Sequence, residues 1–169
     1  MTAGQRRTDH PVSVTTLPAS LLVECLDADP HPPALDRPRA MIRDWARTGV
    51  LIAAWAFVAC AVFQVFLAGL GVFGVPGGDF ASHRDFGYLF GWLTLVVLIL
   101  AIVGRLPRRD IGLAVLLLVL FALQSVFVAV RAEYPVVAAL HPLNGFLILL
   151  TGIVIGLRAR EHVRGGKAA

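Results

Sequence analysis

The chain has 169 residues, 57% of them hydrophobic and only 15% charged, and its mean hydropathy is +0.77. Ordinary soluble domains run at about 45–50% apolar and about 25% charged residues, so this composition excludes one. Fifteen basic residues against 11 acidic give a formal charge of +4 and a pI near 9.8, which would suit a nucleic-acid binder only if the basic residues formed one binding face.

In chain order, residues 1–47 are rich in Pro, Asp and Arg, with prolines at 11, 18, 30, 32, 33 and 38. Residues 1–40 are expected to be a disordered cytoplasmic tail, in which Pro18 to Asp27 reads either as solvated chain or as a short docking peptide. Residues 41–47, with Trp45, read as an interfacial lead-in whose indole sits at headgroup depth. No apolar run precedes Thr48, so no cleavable signal is expected and the first span serves as the targeting element.

From Thr48 onward the chain consists of long apolar runs separated by short polar turns. A hydrocarbon core of about 30 Å needs about 20 apolar residues per helix, and four runs qualify: 48–73, 82–103, 111–130 and 136–157. Backbone polar groups in lipid must be satisfied within each segment, which makes helix the expected state. The short connections predict antiparallel neighbours, hence an all-α, integral membrane four-helix bundle spanning 48–158 and followed by a basic tail over 159–169.

The arginines predict the orientation. Thirteen of the 15 basic residues fall in the amino-terminal tail, the second turn (Arg105, Arg108, Arg109) and the carboxy-terminal tail, all on one side of a four-span bundle. The opposite side has only Arg84 and Arg131. The positive-inside rule then predicts a plasma-membrane protein with both termini in the cytoplasm, and the basic excess becomes a topology signal that removes the case for nucleic acid. Cys25 in the tail and Cys60 in the first span have no metal-like spacing and are expected to be inert, and His10, His31 and His162 are expected to be solvated tail residues.

The bundle contains an internal repeat. The first hairpin has Gln64, a turn, His83 and Gly87; the second has Gln124, a turn, His141 and Gly145. Two hairpins of the same orientation imply a pseudo-twofold axis along the membrane normal, which places His83 and His141 at equivalent depth near the less basic end. Ionisable residues in spans are costly and mark functional sites, and bundle cores hold cofactors between facing helices. Haem b ligated by His83 and His141 is therefore one expectation, with Gly87 and Gly145, helped by Gly91, Ala68, Gly69 and Gly71, leaving space for the macrocycle. Gln64 and Gln124 would bond across the bundle or to a cofactor edge, Asn144 faces the same choice, and Phe86, Tyr88 and Trp92 read as packing or interfacial aromatics.

The segment Phe80-Ala-Ser-His83-Arg84, and Gln124 followed by Tyr134-Pro-Val-Val-Ala-Ala-Leu-His141, resemble one four-helix half of the haem A synthase family, over roughly residues 62–157. The resemblance implies that His83 and His141 are the axial pair of a haem. Phe80 stands where that family carries a catalytic Glu, three residues before the first His, so its hydroxylation and oxidation chemistry is not expected. This chain also has one half only and would need to dimerise to imitate the whole. As a set, the His-x-x-x-Gly and Leu-His-Pro-x-Asn signatures resemble more closely the uncharacterised four-helix membrane families of actinobacteria, whose membership implies no activity.

Three readings of the histidines stay open: haem ligation, another metal joined by Asp79, Asp85 or Glu133, and a polar helix cap with no ligand. Two functions of different class follow. One is a small bis-histidine haem b protein for electron transfer or haem and respiratory support. The other is a non-catalytic membrane subunit that binds a partner, such as a respiratory subunit or a second copy. No catalytic residue is expected on either reading, and a transporter is disfavoured because no charged residue lies at mid-membrane.

Overall fold

The computed structural model describes residues 36–165; the docking segment 18–27, Cys25, His10 and His31 lie outside the described residues. The described residues form α1 (Asp36–Val72), α2 (Phe80–Val103), α3 (Arg108–Ala129), a single turn α4 (Pro135–Ala138) and α5 (Leu140–Gly165), with no strand among them. The expected all-α bundle of four long apolar helices is what forms.

Helix ends follow local chemistry. Both α1 and α2 stop in a Schellman motif, in which the amide two residues past the cap reaches back five residues: Val75 N–H to Leu70 O at 3.1 Å, and Leu106 N–H to Ala101 O at 3.0 Å. The motif needs a left-handed residue, supplied by Gly74 (φ 61°) after α1 but by Arg105 (φ 49°) after α2, where a Cβ costs about 1–2 kcal/mol. Asp79 then caps α2, accepting from Ala81 N–H and Ser82 N–H at 3.1 and 3.3 Å. Pro142 has no N–H to give the Ala138 carbonyl, so the last span breaks at Ala139 into α4 and α5 where one continuous helix was expected.

Two helices outrun their expected limits. The first starts at Asp36, within the stretch expected to be tail, and its 37 residues span about 55 Å, so the polar end projects well past a hydrocarbon core of about 30 Å. The last continues to Gly165 because Arg158 and His162 are tied to α3, as described below.

Each helix turns one seam inward. Buried positions recur at alternating steps of four and three: Phe90, Thr94, Val97 and Ala101 on α2, and Asp110, Ala114 and Leu117 on α3. In α5 the series Asn144, Ile148, Thr151, Ile155 does the same, with Ala159 four residues further on, and Val50, Ala54, Phe57 and Ala61 form the seam of α1. Helix α1 packs on α2 through Phe57 and Phe90 (ring centres 5.3 Å), and α2 on α3 through Phe90 and Phe121 (5.3 Å). Gly152 and Gly156 let α1 lie against α5: a Cβ on Gly152 would come within 3.1 Å of Phe57, and one on Gly156 within 3.0 Å of Trp55. The result is a closed up-down ring, α1–α2–α3–α5, made of two consecutive hairpins.

The outer surface is as apolar as the inside. In no long helix is more than 28% of the most apolar window buried, and Phe66, Trp92 and Phe146 are more than half exposed. In water such a surface would aggregate; lipid is the medium that suits it, so the bundle is a multi-pass membrane protein.

Candidate functional site

The two histidines lie on different hairpins and face each other. His83 sits one turn into α2 and His141 at the start of α5; their ring centres are 6.1 Å apart with planes at 64°. Each ring is tethered by its Nδ1 to the main-chain carbonyl of the glutamine on the preceding long helix: His83 to Gln64 O at 3.1 Å, and His141 to Gln124 O at a longer 3.4 Å. A carbonyl only accepts, so each Nδ1 carries a proton, and in the neutral tautomer that this bond selects Nε2 keeps its lone pair. The repeat legible in the sequence is thus a repeated contact, with the glutamine backbone fixing the histidine tautomer.

The glutamine side chains complete the two half-sites differently. The Gln64 Nε2 donates to His83 O at 2.6 Å, while its Oε1 is buried with no partner. The Gln124 Oε1 instead accepts from Asn144 Nδ2 at 2.6 Å, and Asn144 also donates to Leu120 O at 2.8 Å. Asn144 lies three residues after His141, and the matching place after His83 is Phe86, which packs on Phe63 and Phe90 and donates nothing. That one difference leaves the first glutamine with an unmatched acceptor.

The glycines do not leave the expected opening. A Cβ on Gly87 would meet Gln64 Nε2 at 2.9 Å, and one on Gly145 would lie 3.6 Å from Gln124 Nε2, so both positions make room for the glutamine amides. Gly91 is closed by Phe121 (2.5 Å) and Gly71 by Phe80 (3.2 Å); Gly69 alone of these glycines has nothing within 4 Å. At Gly87 the physical reason is that the Gln64 amide must reach across to His83 O, where a Cβ would crowd it; at Gly145 the amide lies at ordinary contact distance.

Two of the three carboxylates considered as co-ligands go elsewhere. Asp79 caps α2, and Asp85 pairs with Arg84 at 2.9 Å on the surface. Among the described residues no group of three His, Cys, Asp or Glu side chains gathers at one point.

At the opposite, arginine-rich end lies a polar cluster that the sequence reading missed. Asp110, 5% exposed, accepts from Arg158 through Oδ1 and from His162 through Oδ2, the latter at 2.6 Å. His162, expected to be a solvated tail residue, is therefore a partner of a buried carboxylate. The signal was present: an acid in the first turn of α3, and an Arg and a His one turn apart at the end of the antiparallel α5. Beside it, Arg47 Nε donates to Gly104 O at 3.2 Å and joins α1 to the end of α2.

A model of a family of unknown function, DUF6220, matches residues 64–131. The match opens at Gln64 and covers α2 and α3, including His83, Gly87 and Gln124; His141, Asn144 and Gly145 follow it. No curated protein and no solved structure matches the chain.

Proposed function

We propose that this chain is a plasma-membrane protein with both termini in the cytoplasm, whose His83 and His141 ligate one haem b for electron transfer or for haem and respiratory support. The observation that carries this reading is the facing pair itself: two tethered imidazoles on separate hairpins, ring centres 6.1 Å apart. Two imidazole nitrogens each about 2.0–2.1 Å from one metal would put their ring centres about 6 Å apart.

The donor set favours haem over a bare ion. Zinc takes four ligands from the protein, or three plus water, whereas a haem iron brings its own equatorial nitrogens and asks for two axial groups. Two imidazoles with protonated Nδ1 and available Nε2 meet that requirement, and the Nδ1 tether to a backbone carbonyl is the usual way a metal-binding histidine is oriented. The orphaned Gln64 Oε1 is a further polar atom beside His83 that lacks a donor among the described residues. Gly87 and Gly145 do not support the reading, because glutamine amides take their space. Haem b would supply reversible one-electron exchange, and His83 and His141 would be the residues that hold it. The orientation rests on the arginine distribution.

The test is an absorption spectrum of the protein purified in detergent from cells supplied with haem. A reduced-minus-oxidised Soret and α-band signal, absent from both His83→Ala and His141→Ala, is the expected result. A colourless preparation alongside a coloured control cytochrome would refute the haem reading and leave the partner-binding subunit in its place.

A further inference from the structure

At the arginine-rich end, residues 38–165 carry nine arginines against Asp44, Asp110 and Glu161. Three of the nine, Arg105, Arg108 and Arg109, lie in or beside the four-residue α2–α3 connection and are exposed. The acid closest to them in the chain, Asp110, offers them no neutralisation, because its carboxylate is turned into the bundle and used by Arg158 and His162. Among the described residues no carboxylate lies within ion-pair distance of Arg105, Arg108 or Arg109.

The connection is also held in one shape. Leu106 is buried in the end of the bundle, the Schellman bonds close α2, and Pro107 starts α3 with no side chain capping the Arg108 and Arg109 amides. Arg105 occupies the left-handed position of the motif that Gly74 fills after α1. For folding alone glycine is the better residue there, so the positive side chain of Arg105 comes at a conformational cost.

We propose that this connection binds the phosphate of an anionic phospholipid from the leaflet at the arginine-rich end, with Arg105, Arg108 and Arg109 as its cationic ligands. Charge complementarity selects the occupant: an uncompensated triple-arginine loop, rigid and at the end of membrane-spanning helices, meets anionic headgroups before any other phosphate source. The inference is independent of the histidine pair at the other end.

The full-length protein is reconstituted in bilayers of phosphatidylcholine and phosphatidylglycerol in equal parts, extracted, and its retained lipid quantified by mass spectrometry. Phosphatidylglycerol should be enriched over the input, by roughly fivefold for one arginine close to the headgroup. The triple substitution R105Q/R108Q/R109Q should abolish the enrichment, and Arg84→Gln at the opposite end should leave it intact. Arg105→Gly should reduce enrichment while raising thermal stability in pure phosphatidylcholine, since it removes the strained backbone; a merely structural arginine would not separate the two. Retained lipid matching the input, or enrichment that survives the triple substitution, would overturn the proposal. So would inorganic phosphate binding in pure phosphatidylcholine with the same arginine dependence, which would assign the loop to free phosphate.

Discussion

Gly87 and Gly145 are equivalent in the repeat but not in space, and alanine at each should separate them. A glycine-to-alanine change inside a helix stabilises it by about 0.8–1.0 kcal/mol. At Gly145 the new Cβ would sit 3.6 Å from Gln124 Nε2, an ordinary contact, so Gly145→Ala should keep that gain. At Gly87 the Cβ would sit 2.9 Å from Gln64 Nε2, which is already committed to His83 O at 2.6 Å. The amide can swing away, but only by giving up that bond beside an Oε1 that is itself unpartnered. Losing it costs about 1–3 kcal/mol, so Gly87→Ala should come out neutral to about 2 kcal/mol destabilised. A separation of about 2 kcal/mol between the variants corresponds to roughly 4–8 °C in Tm. Thermal loss of helical circular dichroism in one detergent measures it, and adding Gln64→Ala to Gly87→Ala should restore much of the alanine gain. Equal shifts of the same sign for the two single variants would refute the assignment of Gly87 as the passage for the Gln64 amide.

Asn144→Leu should destabilise the bundle by about 1–3 kcal/mol in the same assay, because it strips the donor from Gln124 Oε1 and Leu120 O in a buried setting; a change under about 0.5 kcal/mol would show those acceptors find other donors. Asp110→Asn should lower Tm clearly more than Asp85→Asn: the first removes charge from a buried carboxylate that both Arg158 and His162 reach, the second from a pair whose side chains are both more than 60% exposed. Comparable effects from the two would mean that the Asp110 cluster does not tie α5 to α3.

Hydropathy alone determined that four helices form, and turn length that neighbours run antiparallel, because lipid leaves the backbone few other solutions and short turns allow little else. The repeat of Gln64 with His83 and of Gln124 with His141 was also legible as an order of residue types at similar spacing, but not that each pair is in contact. Three further things were not. A glycine pattern does not say what fills the space it leaves, so the room beside Gly87 and Gly145 read as a cofactor slot until the amides were seen to occupy it. Asp110, Arg158 and His162 are 48 and 52 residues apart in sequence, and only the antiparallel closure of α3 on α5 brings them together. The asymmetry between the half-sites turns on a single donor, Asn144 against Phe86, whose importance depends on which face of the helix meets the glutamine. Local energetics, read one segment at a time, decide the helices; which polar atoms are satisfied and which are left over is decided only when four helices share one core.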